Sequence, residues 1–238
     1  MKIMELGHYH HLFVNYYVAP QNVLPLIPKS LELDLFEGRP VVSWVASTHQ
    51  DIRLFGLPWK LSDQAYSLTL RTYVKKKNKQ GEWIRGYFEI EGWFSHSKIK
   101  KLYQVLRLGK KGTLDLKRSV CFEPFEKSSR GVFQYDWSSC NQESRQVLKL
   151  RTIGLPEPAM SGYLEFFSTE KYYQFSTQGN RTKTQMFSHA PWFLWEVDEV
   201  VLPMQWPGLL FQQWQVGEPA SCYVAKGSKV NVESVVSL

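Results

Sequence analysis

The sequence reads YSLTLRTYVK at 66–75 and GYFEIEGWF at 86–94. These two segments are predicted to be strands joined by a turn, and they decide the fold. Successive side chains of a strand point to opposite faces of the sheet. The first strand therefore turns Leu70 to one face, and Arg71 and Tyr73 to the other. This alternation predicts a β-hairpin with one apolar face and one face that carries polar and aromatic groups.

The returning strand shows the same alternation and contains glycine. Tyr87, Glu89, Glu91 and Trp93 are predicted to share one face. Gly86 lies inside the strand, where a glycine indicates a bend or a close approach of another backbone segment, as at the corner of a barrel.

Short runs rich in β-branched and aromatic residues recur along the rest of the chain. They are found at 12–18, 41–46, 114–122, 131–137, 146–152, 192–201 and 221–236. Two further runs at 171–176 and 181–187 flank the turn residues QGN at 178–180, which predicts a hairpin at 171–187. Residues 50–65 are predicted to form a loop, and an amphipathic helix is predicted at 98–108. About ten or more strands predict an α+β, mainly β fold, namely a closed or partly open antiparallel β-barrel with a few short helices and a central cavity. Since no linker interrupts the sequence, residues 1–238 are predicted to be a single domain.

The charge of the chain is concentrated in short lysine runs. The net charge is +7, and part of it lies in the run KKKNK at 75–79. A positive balance favours an anionic ligand or nucleic acid. A lysine run at a hairpin turn is more typical of a solvated tip, and no RNA-binding signature accompanies it, so we predict no nucleic-acid partner.

The cysteines and the apolar runs indicate the compartment. The three cysteines are far apart and form no Cys-x-x-Cys pair, which is typical of reduced thiols in a cytoplasmic protein. The first residues contain no apolar signal-peptide core. No apolar run approaches the roughly 20 residues that span a bilayer. We therefore predict a cytoplasmic protein without a membrane partner.

Several patches spread over nearly the whole chain carry a resemblance to a known family. They are PLIP at 25–28, LELDLFEG at 31–38, LRTYV at 70–74, GYF at 86–88, FFSTEKY at 166–172 and HAPW at 189–192. In this order the chain resembles the YqjF-like family of uncharacterised bacterial proteins, which is placed in the acetoacetate decarboxylase-like superfamily. The resemblance implies an α+β barrel-like domain around a small internal cavity, and it implies no assigned reaction.

Acetoacetate decarboxylase, the more distant relative, forms a Schiff base between a substrate ketone and a lysine in a Gly-Phe-Pro-Lys-Lys segment. The segment RLGKKG at 107–112 looks comparable, which implies Lys110 as the Schiff-base lysine and Lys111 as its neighbour. A neighbouring ammonium group and an apolar pocket would both lower the lysine pKa. Lysines near a helix C-terminus also complement the helix dipole, so a structural role stays open.

The acid of such a site departs from the family pattern. The family usually carries a glutamate shortly before its Arg-Thr-Tyr-Val, and Ser67 stands in that region here. Glu89 or Glu91 is then the nearest candidate acid by strand pairing, and Glu89 is the one we assign to the site. Arg71 would hold a substrate carboxylate, because a guanidinium group binds both carboxylate oxygens. A structural salt bridge from Arg71 to Glu89 or Glu91 across the hairpin is the alternative.

The candidate ligand-binding residues combine the positive charge of Arg71 with aromatic and imidazole groups. They are Arg71, Tyr73, Tyr87, Trp93, His189 and Trp192. His189 enters because it belongs to one of the family patches, and an ordinary histidine at a strand end is its alternative reading.

A metal site is a further hypothesis. His8 and His10 would share one face of a strand, and two imidazoles on one face can bind zinc. No carboxylate or cysteine spacing completes such a site, so we predict no metal and no cofactor. The chain also lacks the Gly-x-Ser-x-Gly and Gly-x-Gly-x-x-Gly motifs of serine hydrolases and dinucleotide-binding folds.

Three functions are compatible with these observations. The first is a binding protein for a small anionic or keto-acid ligand in a central cavity. The second is a Schiff-base-forming lyase or decarboxylase that uses Lys110 on a small keto acid. The third is a homo-oligomeric interaction protein whose aromatic residues form an interface. The partner predicted by the first two is a small molecule.

Overall fold

The computed structural model of the chain describes residues 2–58, 64–96, 101, 112–125, 128–138, 145–178, 181–214 and 216–233. The strands are β1 (Lys2–Tyr17), β2 (Glu32–Leu33), β3 (Val41–Leu54), β4 (Leu57–Pro58), β5 (Gln64–Lys77), β6 (Trp83–Phe94), β7 (Gly112–Thr113), β8 (Asp115–Phe125), β9 (Ser128–Ser138), β10 (Gln146–Pro158), β11 (Tyr173–Gln178), β12 (Arg181–Ser188), β13 (Phe193–Val201) and β14 (Ser221–Glu233). The helices are α1 (Pro20–Val23) and α2 (Leu164–Thr169), with 3-10 turns at Leu24–Leu26 and Phe211–Trp214. Among the described residues, no helix combines the length and the apolar character that crossing a membrane requires.

Part of the sheet closes on itself. The strands β1, β3, β5, β6, β11, β12 and β14 pair in that order, and β14 pairs back to β1. The pairs are antiparallel except for β6 and β11, which run in parallel. Closure removes the exposed edges that a strand would otherwise present. The ring confirms the prediction of a mainly β fold with a closed, barrel-like sheet and a few short helices.

The remaining long strands form an outer sheet, which consists of β13, β10, β9 and β8 and continues from β14. Its inner side packs on the outside of the ring. Trp44 and Leu70 of the ring belong to one buried apolar cluster with Tyr135 and Trp137 of the outer sheet. The rings of Trp44 and Trp206 stack with their centroids 4.7 Å apart. The main aromatic core therefore lies between the ring and the outer sheet, and a different set of side chains lines the inside of the ring.

A bulge in β1 decides which histidines face the inside of the ring. His10 has a φ of 48°, and the pairing with β3 shifts between Tyr9 and Leu12. One extra residue reverses the alternation of a strand. His8 and His11 consequently face the interior, and His10 lies against the outer sheet. The prediction that His8 and His10 share a face is therefore wrong.

A second bulge divides β6. The pairing with β5 shifts between Leu70 and Arg71, because Ile90 is an extra residue in β6. Glu89, on one side of the bulge, faces the interior. Trp93, on the other side, packs in the aromatic core outside the ring. The single face predicted for the returning strand is therefore wrong beyond the bulge.

The backbone also corrects the loop predicted at 50–65. β3 continues to Leu54 and turns directly into β4. Phe55 and Gly56 form the turn with φ values of 48° and 80°, and two positive φ values in a two-residue loop are typical of a type I′ hairpin. Gly56 thus helps the strand to turn back on itself, and residues 59–63 of the predicted loop lie outside the described residues.

Other predicted elements are confirmed. The hairpin predicted at 171–187 is the pair β11 and β12. The close approach predicted at Gly86 is also present, since a Cβ atom there would lie 2.2 Å from the main-chain oxygen of Tyr173. The helix predicted at 98–108 lies outside the described residues, apart from Lys101.

Candidate functional site

The inside of the ring encloses a cavity of about 70 Å³. Strands β1, β3 and β5 contribute polar side chains to its wall, among them His8, His11, His49, Ser67 and Arg71. Burying polar groups costs free energy unless they find partners. A cavity whose wall carries imidazole, hydroxyl and guanidinium groups is therefore a candidate functional site.

Arg71 brings a buried positive charge to the cavity. It is 9% exposed, and its guanidinium group lies 4.8 Å from the ring centroids of both Phe13 and Tyr87. Nη2 donates to the main-chain oxygen of Ser168 at 2.6 Å and to Tyr73 Oη at 3.4 Å. Among the described residues, no atom accepts a hydrogen bond from Nε.

The carboxylate opposite Arg71 is directed elsewhere. Glu89 is the cross-strand neighbour of Arg71, yet its Oε2 accepts a hydrogen bond from Gln174 Nε2 at 3.3 Å. Within the described part of the chain, Arg71 forms no salt bridge with Glu89, with Glu91 or with any other carboxylate. The structural salt bridge considered from the sequence is therefore not formed there, and the charge of Arg71 faces the cavity without a counter-ion.

Two serine–histidine pairs lie on the same wall. Ser67 Oγ lies 2.7 Å from His49 Nε2, and His49 Nδ1 lies 3.0 Å from His8 Nε2. Ser47 Oγ lies 2.7 Å from His11 Nδ1. Within the described residues, His11 Nε2 is buried without a hydrogen-bond partner. His11 Nε2 and Arg71 Nε are thus two buried polar atoms without a hydrogen-bond partner among the described residues, and both belong to residues that line the cavity.

Burial keeps three histidines that line the cavity, His8, His11 and His189, neutral. Desolvation lowers the pKa of His8 and of His11 well below the ordinary 6.5, and the positive charge of Arg71 lowers both a little further. Desolvation also lowers the pKa of His189, and it raises the pKa of the Tyr87 hydroxyl to about 12. At neutral pH the guanidinium group of Arg71 is therefore charged while these imidazoles and this phenol stay neutral.

A second cation reaches the cavity from the start of β11. Lys171 Nζ lies 2.9 Å from Asp34 Oδ2, and Asp34 Oδ1 lies 2.5 Å from Arg85 Nη1. Burial lowers the pKa of Lys171, and the Asp34 carboxylate opposes that shift. Because two cations share one buried carboxylate, this side of the cavity is electropositive as well.

Most of the candidate residues named from the sequence meet at this cavity. Arg71, Tyr87, Glu89, His189 and Trp192 all line it. The rings of His189 and Trp192 stack at the connection between β12 and β13, with centroids 4.5 Å apart. These five residues come from three separate segments of the chain, namely β5, β6 and the connection between β12 and β13.

The remaining candidates lie elsewhere. Tyr73 is fully buried directly behind Arg71, where its hydroxyl lies 2.6 Å from Ser43 Oγ. Trp93 lies outside the ring because of the bulge in β6. Lys110 and Lys111 lie outside the described residues, so their position relative to the cavity stays a prediction.

Sequence reasoning missed several groups of the wall. Lys171 was overlooked as a site residue, although it stands inside the family patch at 166–172. His49 lies between the strand run predicted at 41–46 and the loop predicted at 50–65 and entered neither prediction, and Ser67 was noted only because it stands where an acid was expected. The signal for His49 and Ser67 is strand alternation, since both lie on the polar face of a strand whose other face is apolar.

The described residues do not show a metal centre. No group of three histidine, cysteine, aspartate or glutamate side chains among them is arranged to hold a metal ion. The closest pair of imidazoles, His8 and His49, is joined by a hydrogen bond.

Solved structures place this fold among the acetoacetate decarboxylase-like proteins. The enduracididine biosynthesis enzyme MppR complexed with pyruvate has a TM-score of 0.66 at 13% identity, over 98% of this chain and 89% of that chain. An acetoacetate decarboxylase-like enzyme from Sphingomonas wittichii RW1 has a TM-score of 0.65 at 11% identity, over 100% of this chain and 94% of that chain. These similarities confirm the fold that the sequence resemblance implied.

The sequence gives the more particular assignment. The chain belongs to the DUF2071 family, described as an uncharacterized conserved protein, whose model matches residues 7–229. The uncharacterized protein YqjF of Bacillus subtilis (strain 168) is 24% identical over 184 residues, which are 77% of this chain and 71% of that protein. The predicted resemblance to the YqjF-like family is confirmed.

Proposed function

We propose that the protein binds a small carboxylate anion of the keto-acid class in the cavity of the ring. The single observation that carries this proposal is the buried guanidinium group of Arg71, which has no carboxylate partner among the described residues and whose Nε has no hydrogen-bond acceptor there. A carboxylate ligand would supply both the missing charge and the missing acceptor.

The energetics favour an anion over a neutral ligand. Removing an ion from water costs several kcal/mol even after the surrounding protein relaxes, and an opposite charge at hydrogen-bond distance offsets much of that cost. The rings of Phe13 and Tyr87 interact favourably with the guanidinium group, but they do not neutralise it. A bound carboxylate would neutralise it through charge-assisted hydrogen bonds, which are stronger than hydrogen bonds between neutral groups.

His11 supplies a second point of contact. Its Nδ1 lies 2.7 Å from Ser47 Oγ. When Nδ1 accepts the serine proton, Nε2 carries the imidazole hydrogen and points a neutral donor at the ligand. A neutral donor beside one cation suits a monoanion, because it adds a hydrogen bond without adding charge.

The dimensions point to a very small molecule. The cavity measures about 70 Å³, and one water molecule needs about 10–15 Å³ of such space, so the cavity has room for roughly five to seven atoms of that size. Pyruvate and acetoacetate are of this size. The similar structure of MppR is a complex with pyruvate, which supports a keto acid as the ligand class.

A Schiff-base reaction is a second candidate function. Lys110 is the lysine that the family resemblance favours, and Lys171 is a lysine that lines the described cavity with its pKa lowered by burial. A neutral amine would condense with a keto acid to an imine and release water. Borohydride reduction in the presence of pyruvate would leave a stable adduct on Lys110 or Lys171, and peptide mapping that finds none on either lysine would exclude this reaction.

Ligand-dependent thermal unfolding tests the binding proposal. Pyruvate is compared with 2,3-butanedione, a neutral molecule of nearly the same shape. At one hundred times its dissociation constant, a ligand raises the free energy of unfolding by about 2.7 kcal/mol. We expect pyruvate to raise the melting temperature of the wild type, butanedione to have little effect, and Arg71→Met to reduce the pyruvate effect markedly.

The matched control is Arg53→Met, which removes an exposed guanidinium group from β3. We expect this variant to respond to pyruvate as the wild type does. Equal stabilisation by pyruvate and butanedione, or a full pyruvate response in Arg71→Met, would show that Arg71 does not bind an anion.

A further inference from the structure

The two serine–histidine pairs of the cavity differ in one respect. Both have the serine oxygen 2.7 Å from an imidazole nitrogen. In the first pair the other nitrogen of His49 lies 3.0 Å from His8 Nε2. In the second pair the other nitrogen of His11 has no partner among the described residues. Only the first pair therefore has the third group that fixes the orientation and the tautomer of its imidazole.

The state of His8 determines what the first pair can do. Burial keeps His8 neutral, so one of its ring nitrogens is an acceptor. When His8 Nε2 accepts the proton of His49 Nδ1, His49 Nε2 is left as an acceptor for the hydroxyl of Ser67. A nucleophile within hydrogen-bond reach of a base, with the base held by a third group, is the arrangement that activates serine in hydrolytic enzymes.

We propose that Ser67, His49 and His8 form a nucleophilic acyl-transfer site that hydrolyses small esters or thioesters. Ser67 is the nucleophile, His49 is the general base and His8 is a positioning residue. Ser67 is buried on the cavity wall, so the acyl group must be small enough to enter about 70 Å³. This activity goes beyond the binding of an anion, and none of its steps requires Arg71.

The chemical steps balance as follows. Ser67 Oγ attacks the acyl carbon, an Oγ–C bond forms, and the hydroxyl proton passes to His49 Nε2. The bond from the acyl carbon to the leaving group then breaks, and the leaving thiol or alcohol takes that proton. Water attacks the acyl-serine and passes a proton to His49, the Oγ–C bond breaks, and Ser67 recovers the proton. The net reaction converts a thioester or ester and water into a carboxylic acid and a thiol or alcohol.

Covalent labelling with methanesulfonyl fluoride tests the nucleophile, because this reagent is small enough for the cavity. The serine oxygen bonds to sulfur, and fluoride leaves with the serine proton as hydrogen fluoride. Peptide mapping of the folded wild type compares Ser67 with Ser47, which is equally close to an imidazole and serves as an internal control. We expect the sulfonyl group on Ser67 and not on Ser47. No label on Ser67, or equal labelling of both serines, would overturn the proposal.

Two histidine variants test the base and its support. We expect His49→Gln to slow the labelling of Ser67 roughly 100-fold or more, which is the usual size of a general-base effect. His8→Leu should slow it by a smaller factor and lower the pH at which labelling is half-maximal, since a hydrogen bond to neutral His8 favours the charged form of His49. A purely structural role of His8 would leave that midpoint in place, and an unchanged rate in His49→Gln would contradict the assignment of the base.

Turnover of S-methyl thioacetate tests the complete reaction through the thiol it releases. Wild type is expected to release thiol repeatedly and Ser67→Ala to release none above the uncatalysed rate. Ser119→Ala removes an exposed serine from β8 and should match the wild type. Equal rates in Ser67→Ala and the wild type would overturn the proposal, as would labelling without turnover. Pyruvate binding is measured separately, so that failure of this reaction and failure of the anion site give different results.

Discussion

The two faces of β3 are both buried, and they carry opposite kinds of residue. On the outer face Trp44 and Ala46 are fully buried in the aromatic core against the outer sheet. On the inner face Ser47 and His49 are almost as well buried, yet they form hydrogen bonds around a cavity. One strand thus has a face that stabilises the fold and a face that is costly to bury. Polar residues at buried positions, rather than conspicuous surface groups, mark the side on which we propose the binding site.

The outer face should show the largest loss of stability. Trp44→Ala removes a fully buried indole that stacks on Trp206. Replacing a buried large aromatic residue with alanine costs about 3–5 kcal/mol. Urea unfolding should show this loss, and a loss below about 1 kcal/mol would mean that the outer core is not what holds the sheets together.

Acid should lower the free energy of unfolding, because buried histidines line the cavity. The pKa values of His8, His11 and His189 are lowered in the folded protein, so below pH 6.5 the unfolded chain binds protons that the folded protein does not. The free energy of unfolding therefore has its full value above pH 6.5 and falls as the pH decreases below 6.5. His10, outside the cavity, adds a similar effect that continues down to its folded pKa of about 4.

Unfolding in urea at a series of pH values between about 7 and 4 measures this dependence. His11→Gln should flatten the curve because it removes one of the titrating groups. A free energy of unfolding that stays constant over this range would contradict the neutral state assigned to the buried imidazoles.

The smallest effect is expected where the ring and the outer sheet share a hydrogen bond. Thr48 Oγ1 lies 2.9 Å from Tyr135 Oη, and both residues are fully buried. Thr48→Val keeps the shape of the side chain but removes this bond, which is worth about 1 kcal/mol. Urea unfolding that shows a loss as large as that of Trp44→Ala would mean that polar contacts, not apolar packing, join the two sheets.

Strand alternation predicted much of this architecture, and it failed where the backbone departs from regular geometry. The hairpins at 66–94 and 171–187 follow from local patterns of apolar residues and turns. The bulges at His10 and Ile90 do not, because each depends on how the neighbouring strand fits. Each bulge moved candidate residues from one face to the other, and Trp93 lies outside the cavity for that reason alone.

The composition of the candidate site could be predicted only in part. Arg71 stood out as a lone charge on an otherwise apolar and aromatic strand. Pairing of β1 with β3 and of β3 with β5 places His8 and His11 on the same wall as Arg71, and pairing between separate segments of the chain leaves no local signal. The family resemblance brought in His189 and Trp192, which alternation alone would not have connected to Arg71.

Isothermal titration of pyruvate into the wild type and into Arg71→Met at pH 7 tests the central claim most directly. The account predicts saturable binding to the wild type. In the variant, the free energy of binding should be weaker by about 1.5–3 kcal/mol, or roughly 10- to 150-fold in affinity, because a hydrogen bond to a charged group usually contributes that much. Unfolding measurements without ligand should find Arg71→Met folded, because the lost hydrogen bond to the Ser168 carbonyl is offset by removal of a buried charge that has no carboxylate partner among the described residues. Equal affinity of pyruvate for the two proteins would contradict the account.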